Sequence, residues 1–188
     1  MVTDPALDAH EHSEHAEHAA HERDPFVSNV SITIAILAVL AAAAGSLESI
    51  EGDKAITASA EAVLRQDQAT DAWTEYEADS LKRHMYTIAS NAGGAHADDY
   101  KKVVQDNGKK QDKVRGEAKD KETERDTLIK ESGAHEKRHD WLTGSATITE
   151  IGIAISTVAI ITKRRAAWFG ALGLGAVGLA LLGWAFLS

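Results

Sequence analysis

The chain has 188 residues, a formal net charge of −9 and no cysteine. The absent thiols exclude a disulfide framework and a thiolate metal site, and basic residues scattered among a surplus of acids exclude a nucleic-acid surface. The average composition conceals two extremes. Three stretches are uncharged or nearly so, each long enough for the ~20 helical residues that cross a bilayer. The 93 residues from Glu48 to Asp140, in contrast, hold 21 acidic and 16 basic side chains and too few large apolar ones for a globular core.

Residues 1–24 form a polar tail built on the run HEHSEHAEHAAHE. His12, His15, His18 and His21 recur every three residues, as do Glu11, Glu14 and Glu17. On a helix this period turns each successive side chain by about 60° around the axis, so the imidazoles spiral instead of converging. Neighbouring histidines can still share a metal. The pattern leaves three uses open: a solvated accessory tail, loose Zn, Ni or Cu binding at those four histidines, and pH sensing. No supporting residues fix the ligands, so the tail predicts no required cofactor.

Residues 25–47 are predicted to form the first transmembrane helix. The run IAILAVL followed by AAAAGS imitates a cleavable signal, but the segment before it carries seven acids and one arginine where a signal has a short basic start. A retained anchor is therefore expected.

Residues 48–140 read as two long helices, rich in Ala, Glu, Lys and Gln and free of proline. The stretch NAGGAHADD supplies a helix stop and a new start, which places a turn near 92–96. The expectation is an antiparallel, coiled-coil-like hairpin outside the membrane, in which residues equidistant from the turn face each other. Trp73, beside Tyr76, then falls against Gly116, with Val114 and Ala118 alongside. Met85, Tyr86 and Ile88 fall opposite Tyr100, Val103 and Val104, and Ala60, Val63 and Leu64 lie near Leu128 and Ile129. Glu48 meets Trp141. Gln66, Ala69, Trp73, Tyr76 and Ser80 recur at coiled-coil intervals and are compatible with lateral association of hairpins.

Residues 141–162 form the second predicted span, 163–165 a basic loop and 166–188 the third span. Trp141, Trp168 and Trp184 sit near span ends, where interfacial indoles are expected. Glu150 is the only ionisable residue inside a span. It lies roughly 13 Å along the helix from Trp141, near the middle of a core about 30 Å thick. Thr143, Thr147, Ala154 and Thr157 share its helical face, a small and polar stripe expected to point away from lipid. Ala38 in the first span and Gly178 and Leu179 in the third are expected at its depth. In the third span, Gly170, Ala171, Gly173, Gly175 and Gly178 allow close helix approach, either between copies or within one chain.

The short basic loop is expected in the cytoplasm, with the tail beside it and the hairpin and C-terminus on the outer side of the membrane. The stretches EHAEHAAHERDPFVSNVSITIAILAVLAAAAGSLES and VLRQDQATDAWTEYEADSLKRHMY resemble the bacterial membrane family catalogued as domain of unknown function 4337. The likeness rests on an EHAEHA-type tail, an RDPF lead into the first span and a D-x-W-x-x-Y pattern met by Asp71, Trp73 and Tyr76. It implies residence in a bacterial membrane, expected here to be the cytoplasmic (inner) one, and carries over no catalytic residue.

These residues lead to an all-α membrane protein with three spans and no enzyme activity: no phosphate-binding glycine loop, HExxH motif or candidate triad is present. The leading functional expectation is a homo-oligomeric scaffold whose partners are the bilayer and further copies of itself. The alternatives are a cation or proton channel, transporter or accessory subunit that uses Glu150, and a metal-responsive protein that uses the tail.

Overall fold

The structure, a computed structural model, describes residues 25–187. The tail, with His12, His15, His18 and His21, lies outside the described residues. Three helices follow one another: α1 (Pro25–Asn91), α2 (Ala97–Thr162) and α3 (Arg165–Ala185), with no strand among the described residues. Each contains a stretch long and apolar enough to cross a membrane, so this is an all-α protein with three candidate spans. Pro25 opens α1, where a missing amide N–H costs nothing. No proline follows in any helix, and both long helices therefore run unbroken from apolar span into polar arm.

The two turns have local causes. Between α1 and α2 the chain turns through Gly93 (φ 78°) and Gly94 (φ 108°), backbone that only glycine adopts cheaply. Asp98 and Asp99 occupy the first turn of α2, where carboxylates suit the exposed amides. Lys163 (φ 51°) ends α2 in the left-handed region, and α3 starts at Arg165. The basic loop is thus one residue shorter than expected.

The described residues divide into two compact units, 25–55 together with 133–187, and Ile56–Ser132. In the first, Val30, Ile34, Leu37, Ile153 and Ala159 make an apolar core, with Phe26 and Trp168 packed against it. The Trp168 indole N–H donates to Thr33 Oγ1 at 3.0 Å, and the Phe26 ring stands edge-on to it with centroids 6.0 Å apart. Small residues bring α2 and α3 into close contact. A Cβ on Gly152 would stand 3.3 Å from the Ala171 carbonyl oxygen, and one on Gly178 would stand 2.2 Å from Thr149 Oγ1 and 3.2 Å from the Ser145 carbonyl oxygen. Ser145 Oγ donates to the Gly178 carbonyl at 2.7 Å across this contact.

That contact settles much of the small-residue stripe of α3. Ala171, Gly175 and Gly178 are buried inside the chain, while Gly170 and Gly173 are exposed. Lipid supplies no hydrophobic drive between helices, so association depends on close packing, and the narrow side of α3 is used against α2 and Leu37.

In the second unit the buried side chains are smaller and more polar than the sequence suggests: Ala62, Ala69, Val114 and Ala118, with Asp79, Asn107 and Gln111 among them. Tyr86 and Tyr100 meet as expected, with ring centroids 5.6 Å apart. Trp73 differs. Its indole donates to Glu122 Oε1 at 2.9 Å and stands edge-on to Tyr76, while Gly116 is exposed and a Cβ there would touch nothing within 4 Å. An indole N–H seeks a polar partner, and the carboxylate supplies one that a glycine cannot. Met85, Ile88, Val63, Leu64 and Ile129 are exposed, and Val104 is half-buried. The remaining pairings are polar: Arg65 with Glu124 (2.9 Å), Arg125 with Gln66, Lys110 with Glu75 (2.7 Å) and Asp79 (3.1 Å), and Arg83 Nη1 donating to Gln111 Oε1 (3.1 Å).

The glycine contacts rank three substitutions. Gly178→Ala forces a methyl group against backbone and a bonded threonine, and should destabilise the protein by about 1–3 kcal/mol. Gly175→Ala meets only the mobile end of Leu37 and should cost less. Gly173→Ala has open space and should be neutral or stabilising, since alanine is the better helix former. Thermal unfolding of the three variants in one detergent checks this order.

Candidate functional site

The densest polar cluster in the first unit lies where α1 and α2 leave their apolar stretches. Its centre is Glu51, buried although ionisable. Glu51 Oε2 stands 2.6 Å from His135 Nδ1 and 3.7 Å from Arg138 Nη1, and Oε1 accepts from Lys54 Nζ at 2.9 Å. A carboxylate can only accept, so His135 Nδ1 carries the hydrogen in this bond. The His135 hydrogen bond, followed by the bond and charge of Lys54, lowers the Glu51 pKa below its ordinary 4.5, against the opposing effect of burial.

A second layer lies one turn nearer the spans. His139 Nδ1 donates to the Glu48 backbone carbonyl at 3.1 Å, and Thr143 Oγ1 donates to Glu48 Oε1 at 2.7 Å. Gly52 makes room, because a Cβ there would stand 3.1 Å from His139 Nδ1. Glu48 and Glu51 are three apart on α1, and His135, His139 and Thr143 four apart on α2, so each set lines one helical face. Among the described residues no group of His, Asp or Glu is arranged to hold a metal. The imidazoles are occupied by hydrogen bonds to α1, and the cluster acts as a clamp between two helices.

On α2, two hydroxyls buried between the spans return to their own helix, whereas the buried Ser31 hydroxyl of α1 has no hydrogen-bond partner among the described residues. Thr149 Oγ1 donates to the Ser145 carbonyl (2.8 Å), and Ser156 Oγ to the Gly152 carbonyl (2.9 Å). Glu150 points the other way. It is exposed on the outer face of α2, together with Thr147, Ala154 and Thr157, whereas Thr143 at the upper end of the same stripe reaches Glu48 of α1, so below Thr143 the polar stripe of the sequence is not enclosed by its own chain. Gly178 touches Thr149 and Ser145, on the opposite side of α2.

The family described as domain of unknown function (DUF4337) matches residues 26–188. The chain belongs to that family. Comparison with curated proteins finds no match. Comparison with solved structures finds none either.

Within this DUF4337 member the clamp was hidden from sequence reasoning by a small offset. Counting from the turn pairs Glu48 with Trp141 and Glu51 with Arg138. The observed partners of Glu48, His139 and Thr143, lie on either side of Trp141, and Glu51 takes His135 as well as Arg138. The readable signal was the E-x-x-E-G of residues 48–52 facing the H-x-x-x-H of 135–139.

A carboxylate whose folded-state pKa is depressed stabilises the fold above its unfolded value, here the ordinary 4.5, and loses that contribution as pH falls through the folded value. Glu51→Gln should therefore cost about 1–3 kcal/mol at neutral pH, as expected when a hydrogen bond to a charged group is lost. The difference from wild type should stay level with respect to Glu51 titration above pH 4.5 and shrink below it. Lys54→Ala, at a side chain 52% exposed, should cost much less. Unfolding curves against pH in detergent measure all three.

Proposed function

We propose that the chain is a homo-oligomeric membrane scaffold that holds an antiparallel helical hairpin outside the bilayer. The observation that carries this reading is the outward position of Glu150 over a closed span interior. The three spans enclose an apolar core and a few hydroxyls, most of them bonded to carbonyls, with no ionisable side chain inside among the described residues, which supports a packing role over a path through one copy. An acid at mid-span on the outer face calls for cover by protein or by enclosed water. Ile56, Val63, Leu81 and Met85, exposed on the polar arms, favour lateral association as well. The hairpin reading rests on contacts in which partner numbers fall on α2 as they rise on α1, from Arg65 with Glu124 through Asp79 with Lys110 to Tyr86 with Tyr100. The Glu51 clamp would then hold the two arms together where they emerge.

The tail and basic loop are placed in the cytoplasm of a bacterial inner membrane, with the hairpin on the outer side. The channel reading keeps one route, a pathway between copies lined by Glu150.

Mass measurement of the protein in nanodiscs should give a discrete multiple of the 20.1 kDa chain. A single copy would overturn the scaffold. The chain has no cysteine, so a pair introduced at Tyr86 and Tyr100 should crosslink within one copy, and a pair at Tyr86 and Leu128 should not. The reverse result would overturn the hairpin.

A further inference from the structure

We infer that the outer face of α2 is the surface on which a second copy of this chain docks inside the bilayer, through a seam centred on Thr147 and Glu150. This rests on the oligomeric reading above and names the surface that reading leaves open. The three spans differ in what they turn outward. At mid-depth α1 exposes Ile32, Ile36 and Val39, and α3 exposes Leu172, Val177 and Leu179, all suited to lipid. Only α2, among the described residues, exposes polar side chains there.

Their spacing is the second observation. Thr143, Thr147, Glu150, Ala154 and Thr157 are separated by four, three, four and three residues, and all are exposed. Over these two heptads the spacing drifts by only about 40° on a straight helix, so the five residues form one continuous stripe, the arrangement that faces a partner in a left-handed helix pair.

The third observation is complementarity within the stripe. Neither the Glu150 carboxyl nor the Thr147 hydroxyl is hydrogen-bonded within its own chain, whereas Thr149, Ser156 and Thr157 each bond to a carbonyl and Thr143 to Glu48. Thr147 and Glu150 lie one turn apart. Copies related by an axis along the membrane normal bring equal depths together, so Thr147 of one α2 can donate to Glu150 of the next, and the reverse on the other side of a two-fold. Ala154, one turn below, allows the backbones to approach. The small side of α3 is not available for this role, because Ala171, Gly175 and Gly178 are buried within the chain.

The test uses full-length protein in native-like membranes, with single cysteines on a background that has none. Under mild oxidation, Thr147→Cys and Ala154→Cys should give crosslinked dimer as the main product, whereas Ala176→Cys on the outer face of α3 should give almost none. Both seam cysteines should resist a charged, water-borne thiol reagent. Glu150→Gln should retain the Ala154→Cys crosslink, and Glu150→Leu should lose most of it. An oligomer by mass that crosslinks at Ala176 and not at the seam would overturn the surface and leave the scaffold standing. A monomer by mass would overturn both. Rapid labelling of the seam cysteines by the charged reagent would replace the seam with a water-filled path between copies, and a crosslink indifferent to Glu150→Leu would remove the acid from it.

Discussion

A bilayer offers no hydrogen-bond partner to a peptide group, and the described structure follows from that constraint. Each span must satisfy its own backbone, so each is a helix, and the buried side-chain hydroxyls inside the spans, Ser31 apart, either return to a carbonyl of their own helix or reach one on a neighbour. The same constraint makes small residues valuable. Gly152 and Gly178 matter because lipid tails are as apolar as leucine, and only close backbone approach distinguishes a helix neighbour from solvent.

Just outside the apolar stretches the physics changes, and the chain responds with charge. Glu51 is buried, yet it is surrounded by His135, Lys54 and Arg138, which is the condition under which a buried carboxylate is tolerated. Glu48 adds its carbonyl and its side chain to the same pair of helices. Farther along, the second unit has almost no large apolar core. Alanine layers and largely exposed ion pairs hold it, and such exposed pairs contribute little individually in water.

Much of this was legible in the sequence because it depends on composition and local chemistry. Runs of more than 20 residues with at most one charge are long and apolar enough to span, an unbroken run of Ala, Glu, Lys and Gln without proline favours helix, and a Gly-Gly pair flanked by Asn and Asp marks the turn. The pairing of Tyr86 with Tyr100 also followed, since it lies close to the turn and register error has not accumulated. Farther from the turn the count drifts, and Trp73 meets Glu122 in place of Gly116 because a hydrogen bond to the indole outweighs a fit to a small residue.

The sequence by itself thus determined the class of the protein: its spans, its helical arms, its turns and the single acid within the membrane. Only the tertiary structure decided which side of each helix is spent on its own chain. Glycines at 170, 173, 175 and 178 look alike in sequence, yet two are buried and two exposed, because the rotation of α3 against α2 and Leu37 is set by packing at several positions at once. The same rotation buries Ser145, Thr149 and Ser156 and turns Glu150 outward. Helical periodicity places residues on a common face, but the direction in which that face looks is fixed by neighbours distant in sequence, and that is information no local pattern contains.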